Sequence, residues 1–361
     1  MKEYTYATKK SDKLCNKCIL PENYSGVVFN SEGVCNYCVN EQEPHFMGKQ
    51  KLKEDIKEIL DKSPDRKYDC LVGLSGGRDS TYLLWYIVKE LNLKPLAVFI
   101  DSGYIPEQTY ENIQNTVNIL NVDLKILKHN YQKRTFKWYY NAWFKRPVPA
   151  TLVTFCTGCR LGIDDLLKKE ARKLRIPLHF EGGTPFEGKS YKKNIIRTNP
   201  EKKSISSLLL GYLKQSLLNP LLVINPVNLY VQTMEFYNIY LKKQPKDNAV
   251  YLHLFSYIKW QEKVVEATIT EKLNWKKYPG LRSNYRGDCE IGIIRQLLYY
   301  KLLGYNDKDD HLSCLIRNGQ LTRDEALNRI DNEHYVPKEV LEKICSKLGI
   351  SYKKLEKILS N

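Results

Sequence analysis

Through the first half of the chain, short apolar runs that stop at glycine or acidic residues alternate with segments of helical period. Lys51–Leu60 carries its apolar side chains on one face and reads as an amphipathic helix. Tyr68 to Leu74 is short and apolar enough for a buried strand, and Thr81 to Leu91 returns to helical spacing. Pro95–Ile100 reads as a second buried strand ending in Asp101-Ser-Gly103, followed by a helix over Glu107–Leu120 and a third strand over Asp123–Leu127. Ile163–Lys173 is helical again, and the apolar stretch from Ile176 delivers Glu181, Gly182, Gly183 and Thr184 at the end of a fourth strand. Strands alternating with helices of this length predict an α/β fold, a parallel sheet with helices on both faces. Ligands in such sheets sit beyond the carboxyl ends of the strands. Residues 75–80, Asp101 and the Glu181–Thr184 turn are therefore expected to share one edge.

The second half reads differently. Residues 204–231 are markedly apolar, but Lys214, Gln215, Asn219, Pro220, Asn225 and Pro226 interrupt them too often for a spanning helix, so no membrane span is expected. Val250–Trp275 carries helical pattern, Gly280–Asp288 is a basic loop able to touch an anionic substrate, and the chain from Ile291 is helical. Thr322 and Glu325 have the spacing of a capping box; Asp309, Asp310 and His311 could form a metal or acid/base group, but helix capping explains the aspartates more simply. In Tyr131–Trp143 aromatics alternate with Lys133, Arg134 and Lys137; base stacking is one use for that pattern, but a buried helix stripe explains it more simply. The division that follows is 1–48, 49–200, 201–285 and 286–361.

Length and charge narrow the function. With 361 residues, 42% of them hydrophobic, the chain can bury a substantial core, and a net charge of +16 suits an anionic partner or a lysine-rich solvated surface. No charged-then-apolar leader opens the sequence, which predicts a cytoplasmic protein. Ten cysteines then point to metal binding or thiol chemistry rather than disulfides. Cys15 with Cys18 and Cys35 with Cys38 form two CxxC knuckles, spaced as in four-sulfur zinc sites. Sulfur would fill all four positions, so such a Zn²⁺ is structural.

Between the first strand and its helix lies Ser75-Gly-Gly-Arg-Asp-Ser80. Gly76 and Gly77 permit close backbone approach, the helix start presents unpaired N–H groups, and Ser75, Arg78, Asp79 and Ser80 add polar and charged groups. The pattern fits a phosphate cradle without being a Walker A loop. It resembles the SGGxDS signature of the PP-loop ATP pyrophosphatases, which implies cleavage of ATP to AMP and pyrophosphate with Mg²⁺. The resemblance assigns the nucleotide to Ser75–Ser80 and Asp101, while the fourth-strand pattern itself puts Glu181, Gly182, Gly183 and Thr184 near nucleotide or acceptor.

Cys156-Thr-Gly-Cys159 opens the helix that leads to Lys173, and Cys289 lies in a polar, glycine-containing loop. Two thiolates do not complete a metal site. Three readings stay open: a [4Fe-4S] cluster on Cys156, Cys159 and Cys289, as in the PP-loop RNA thiolases these residues resemble; a redox pair or zinc site; and inert core. Taken in order, the paired knuckles, the Ser-Gly-Gly-Arg-Asp-Ser loop, Cys-Thr-Gly-Cys-Arg160 and the tail with Asp309-Asp-His-Leu-Ser313 and Arg317-Asn-Gly319 resemble the N-acetyl sugar amidotransferases of bacterial surface-sugar synthesis. That implies adenylation of an acetamido oxygen on an N-acetylated sugar or sugar nucleotide, and displacement of AMP by ammonia. The chain has Lys2 behind Met1 and no Gly-x-Cys-x-Gly elbow, so the resemblance implies a separate glutaminase with a cyclase-like ammonia-channel subunit. The other reading is an RNA-modifying thiolase; without a further cysteine knuckle after Cys159, a nucleic-acid substrate is the less expected one.

Overall fold

In the computed structural model, residues 13–128, 130–184, 186, 191–196, 210, 213–214, 217–221 and 249–360 are described. Most of the apolar 204–231 stretch lies outside them. Five parallel strands, β1 (Cys70–Gly73), β2 (Pro95–Asp101), β3 (Asp123–Lys128), β4 (Leu178–Glu181) and β5 (Val250–His253), form one sheet in the order β3-β2-β1-β4-β5. The chain moves outward from β1 to β3 and then crosses to the other side of β1. The reversal puts a crevice at the carboxyl ends of β1 and β4, the place where such sheets bind ligands.

Alternation along the strands explains the layers. Cys70, Val72, Ala97 and Phe99 face one core with Leu52, Ile56 and Leu60 of the helix Lys49–Asp61 and with Leu83, Leu84 and Ile87 of the helix Arg78–Lys89. Leu71, Leu96, Val98 and Ile100 face the other, against Leu167 and Ala171 of the helix Thr154–Lys173. The α/β expectation is met on both faces. One segment departs from it: Val250–His253, read as the start of a helical stretch, is the edge strand β5. Four residues are too few for a period-two pattern to stand out beside the helical Glu262–Leu273 that follows.

The C-terminal helices make a second core. Helices Glu290–Leu303, Lys338–Leu348 and Tyr352–Ser360 bury Ile294, Leu298, Ile344, Leu348 and Leu355 with Phe136, Tyr139, Tyr140 and Trp143 of the helix Asn130–Trp143. Apart from the exposed Trp138, the described aromatics of that helix are core. Capping boxes close Asn306 with Asp309 and Thr322 with Glu325, which is the helix-capping role read for Asp309. No helix among the described residues is long and apolar enough to cross a membrane.

Candidate functional site

The helix after β1 begins at Arg78, three residues earlier than its apolar pattern suggests, with Gly77 as N-cap. Arg78, Asp79 and Ser80 thus belong to its first turn, where N–H groups lack intrahelical acceptors. The loop is held by its own hydroxyls: Ser75 and Ser80 Oγ lie 3.0 Å apart, the Gly77 N–H donates to Ser75 Oγ at 3.2 Å, and Ser80 Oγ donates to the Gly77 carbonyl at 3.2 Å. Gly76 has φ +76°, and the indole N–H of Trp275 donates to its carbonyl at 3.0 Å.

A cavity of about 290 Å³ opens over this loop. Its floor is residues 75–80 with Gly182 and Gly183, and its far wall is Trp275–Tyr278 and Ser283–Asp288. Asn112 fixes that wall to the helix Glu107–Leu120, donating to the Lys276 carbonyl at 2.7 Å and accepting its N–H at 2.9 Å. Asp288 Oδ2 is 2.7 Å from where a Gly77 Cβ would stand, so only glycine lets this carboxylate meet the loop. Burial pushes the Asp288 carboxyl up, while a hydrogen bond with Ser75 and the charge of Arg286 hold it down. The basic loop over Gly280–Asp288 therefore does reach the site, and Asp288, not singled out in the sequence, meets the cradle there. An aspartate beside a glycine, Gly287-Asp288, was the available signal.

The structure places several of the expected site residues differently. Arg78 lines the cavity, but its charge is already committed: Nη1 lies 2.9 Å from Glu262 Oε1 and 3.2 Å from Glu266 Oε1, Nε lies 3.2 Å from Asp79 Oδ1, and the guanidinium sits over Trp260 at 4.8 Å. Carboxylates supplied from nearly two hundred positions downstream neutralise it. Asp101 is not among the cavity-lining residues; its Oδ1 accepts the Gly103 N–H at 2.7 Å, the role of a turn aspartate. At the β4 end Gly182 and Gly183 reach the cavity while Glu181 and Thr184 do not line it, and Glu181 lies 3.4 Å from His253.

Glu262 is the hub of the buried network beneath the loop. Besides Arg78 it meets His311 Nε2 at 3.3 Å and Arg329 Nη1 at 2.7 Å. Burial opposes its ionisation, yet His311, Arg329 and Arg78 together hold it well below the usual carboxylate range. Glu262→Gln keeps the shape but leaves Arg78 without its closest counter-charge. Loss of about 2–4 kcal/mol is expected from urea denaturation, and a loss under about 0.5 kcal/mol, the size of an ordinary surface substitution, would show that the network contributes little.

The four N-terminal cysteines gather as expected. Their ligand atoms lie within 4.8 Å of one another, with Cys15 and Cys38 Sγ 3.9 Å apart and Cys18 and Cys35 Sγ 3.8 Å apart. A tetrahedron with metal–sulfur bonds of about 2.3 Å has edges of about 3.8 Å. Backbone N–H groups of Lys17, Cys18 and Cys35 donate to Cys15 Sγ at 3.2–3.4 Å, and such donors favour the thiolate that a metal requires. The site can hold a metal ion. Cys156, Cys159 and Cys289 pack against one core, but among the described residues they do not form such a group. Burial, with Cys156 nearby, pushes the Cys289 thiol up to about 12.

The far wall of the cavity also has a sequence relationship. Residues 258–361 match the family model described as "LPS biosynthesis protein WbpG-like, C-terminal domain". This part of the chain resembles the C-terminal domain of WbpG-like proteins. A 123-residue stretch is 32% identical to "Uncharacterized protein MJ1599" of Methanocaldococcus jannaschii, over 32% of this chain and 43% of that relative, so the chain matches less than half of the relative's length. Among solved structures, the U34-tRNA thiolase NcsA from Methanococcus maripaludis with its [4Fe-4S] cluster has 14% identity and a TM-score of 0.35, covering 90% of this chain and 91% of that one. The NH3-dependent NAD synthetase of Campylobacter jejuni has 17% identity and a TM-score of 0.29, covering 55% and 97%. Likeness at that level transfers no chemistry. The matched segment, residues 258–361, supplies Trp260, Glu262, Trp275 and Asp288, and so both the network beneath the loop and the wall above it.

Proposed function

We propose that this chain is an ATP-dependent, AMP-forming amidotransferase that converts the acetamido group of an N-acetylated sugar into an acetamidino group in lipopolysaccharide biosynthesis. The observation that carries the reading is one cavity with two walls: an SGGxDS loop at the carboxyl edge of a parallel sheet, and the WbpG-like domain facing it.

The residues fit the chemistry. Gly76 and Gly77 leave room that a Cβ would fill, and the N–H groups at the start of the helix point donors where pyrophosphate charge would develop. Asp79 and Asp288 line the same cavity and would hold Mg²⁺, which supplies charge neutralisation on the phosphates. The acetamido oxygen attacks the α-phosphorus of ATP and pyrophosphate leaves. Ammonia then adds to the activated carbon, the C–O bond to AMP breaks, and the proton surplus passes to solvent, leaving the amidine. No side chain needs to form a covalent intermediate. Ammonia would come from a separate glutaminase and its channel subunit. The four-cysteine group would hold Zn²⁺ as a structural ion, since all four positions are sulfur. A second reading, sulfur transfer to RNA, draws on Cys156 and Cys289 lying close enough to interact.

Mass spectrometry separates the two. Incubation of an acetamido sugar nucleotide with the chain, ATP, Mg²⁺ and ammonium should yield AMP, pyrophosphate and a product lighter by about one mass unit, as exchange of O for NH requires. AMP formation that depends on tRNA instead of sugar would replace this reading with the second.

A further inference from the structure

Beside the cavity, within the second core, lies a group of cations and hydroxyls that the ATP chemistry leaves unused. Asp307 is its centre: Oδ2 is 2.6 Å from Lys192 Nζ and 3.4 Å from Arg295 Nη2, and it also accepts from Gln296. Arg286, which lines the cavity, is close enough to act electrostatically on Asp307, Lys192 and Arg295. Three cations thus surround one carboxylate. Burial pushes the Lys192 ammonium down to about 8; Asp307 opposes this, and Arg295 and Arg286 reinforce it.

Among the described residues, three donors here have no acceptor. Arg295 Nε and the hydroxyls of Tyr191 and Tyr299 are buried without a hydrogen-bond partner, on side chains 4%, 0% and 0% exposed. The two tyrosine rings meet edge to face at 5.6 Å, and Lys192 Nζ lies 5.7 Å and 6.0 Å from their centroids. Arg295 contributes five N–H donors, yet meets Asp307 only through one long contact. Buried donors are rarely left unmade, because nothing replaces the water they lose. Several of them in one place, with net positive charge, describe a site for an acceptor-rich anion. A guanidinium is suited to carboxylate and phosphate alike.

We infer that Tyr191, Lys192, Arg286, Arg295 and Tyr299 form a recognition site for an oxyanion of the acceptor, so that the substrate is an acetamido sugar carrying a carboxylate or a phosphate. The inference rests on the amidotransferase reading for the word acceptor. It places the anionic end of the sugar in the C-terminal core and the reacting amide toward the loop, with Arg286 between them.

Calorimetric titration of the full chain, without ATP or ammonium, tests it with three probes: neutral N-acetylglucosamine, N-acetylglucosamine 1-phosphate and N-acetylmuramic acid. At least one charged probe should bind about tenfold more tightly than the neutral one; which one does so tells phosphate from carboxylate. Arg295→Gln and the double variant Tyr191→Phe with Tyr299→Phe should each remove that preference while leaving N-acetylglucosamine unchanged. Tyr299→Phe deletes an oxygen that has no hydrogen-bond partner among the described residues, so the free variant should melt no lower than the parent, which keeps the test independent of any folding defect in Arg295→Gln. Equal affinity for charged and neutral probes, failure of both charged probes to bind, a preference that survives the variants, or a lower melting point for Tyr299→Phe would overturn the assignment. Absence of amidine formation with the binding preference intact would instead count against the reaction and leave the oxyanion site standing.

Discussion

Gly76→Ala should abolish measurable ATP cleavage and destabilise the chain by roughly 2–5 kcal/mol, from left-handed backbone strain and overpacking combined. Both effects have one cause. Gly76 sits at φ +76°, and a Cβ there would stand 2.7 Å from Thr109 Cγ2, 2.9 Å from Ile113 Cγ1 and 2.9 Å from the Thr109 carbonyl oxygen. The neighbours belong to the helix Glu107–Leu120, whose backbone cannot give way, so the loop must move instead. Moving it breaks the Trp275 bond to the Gly76 carbonyl and misaims the N–H groups to which the proposed reaction assigns the developing phosphate charge. Loss of one such donor alone costs about 10²–10³ in rate. Gly183→Ala is the matched comparison, since a Cβ there meets nothing within 4 Å. Its stability should stay within about 0.5 kcal/mol of the parent. Pyrophosphate release and thermal melts of the two variants check the pair; equal behaviour would mean that loop geometry does not limit cleavage.

Cys18→Ser should drop bound metal from one ion per chain to near none and loosen more than the N-terminus. The knuckles are docked onto the C-terminal helices: Arg323 Nε donates to the carbonyls of Cys15 and Cys18 at 3.2 Å and 3.1 Å, and Asn23 donates to the Leu303 carbonyl at 2.8 Å. The Tyr305 hydroxyl accepts the Ser25 N–H at 3.1 Å, and Tyr24 packs on Tyr305 with ring centroids 4.8 Å apart. Metal binding in such sites is folding free energy. Without it the knuckles lose their shape, and the bonds to the C-terminal helices go with them. A loss of about 3–5 kcal/mol is expected, comparable with removing a structural cross-link. Metal analysis and denaturant melts test this against Cys345→Ser, which alters a buried cysteine outside the group and should keep its ion. A metal-free Cys18→Ser chain with unchanged stability would show that the ion does not organise the fold.

Much of the architecture is local in origin and was legible for that reason. The helix Glu107–Leu120 begins and ends where its apolar spacing predicts, and β2 differs from expectation by one residue. The knuckles are set by spacing alone, because each CxxC pair closes on its own turn and a tetrahedron leaves little choice for the two turns. Val250–His253 failed as a helix because a short edge strand is chosen by the neighbour it pairs with, here β4, and pairing has no local signature.

The site divides the same way. The sequence by itself determined the cradle: two glycines and two serines between an apolar strand and a helix specify the turn, the helix start and its free N–H groups. What faces the cradle was decided only by the tertiary structure. Arg78 looked like a charge for phosphate until the fold brought Glu262 and Glu266 against it, and Asp101 turned back onto the Gly103 N–H instead of reaching the cavity. Asp288 and Trp275 come from some two hundred residues downstream, and the group around Asp307 joins Lys192 to Arg295 across a hundred more. A charge is used or cancelled by whatever stands within a few ångströms of it. Sequence spacing fixes such distances within a turn of helix or a knuckle, whereas between distant segments only the packing of the whole chain fixes them.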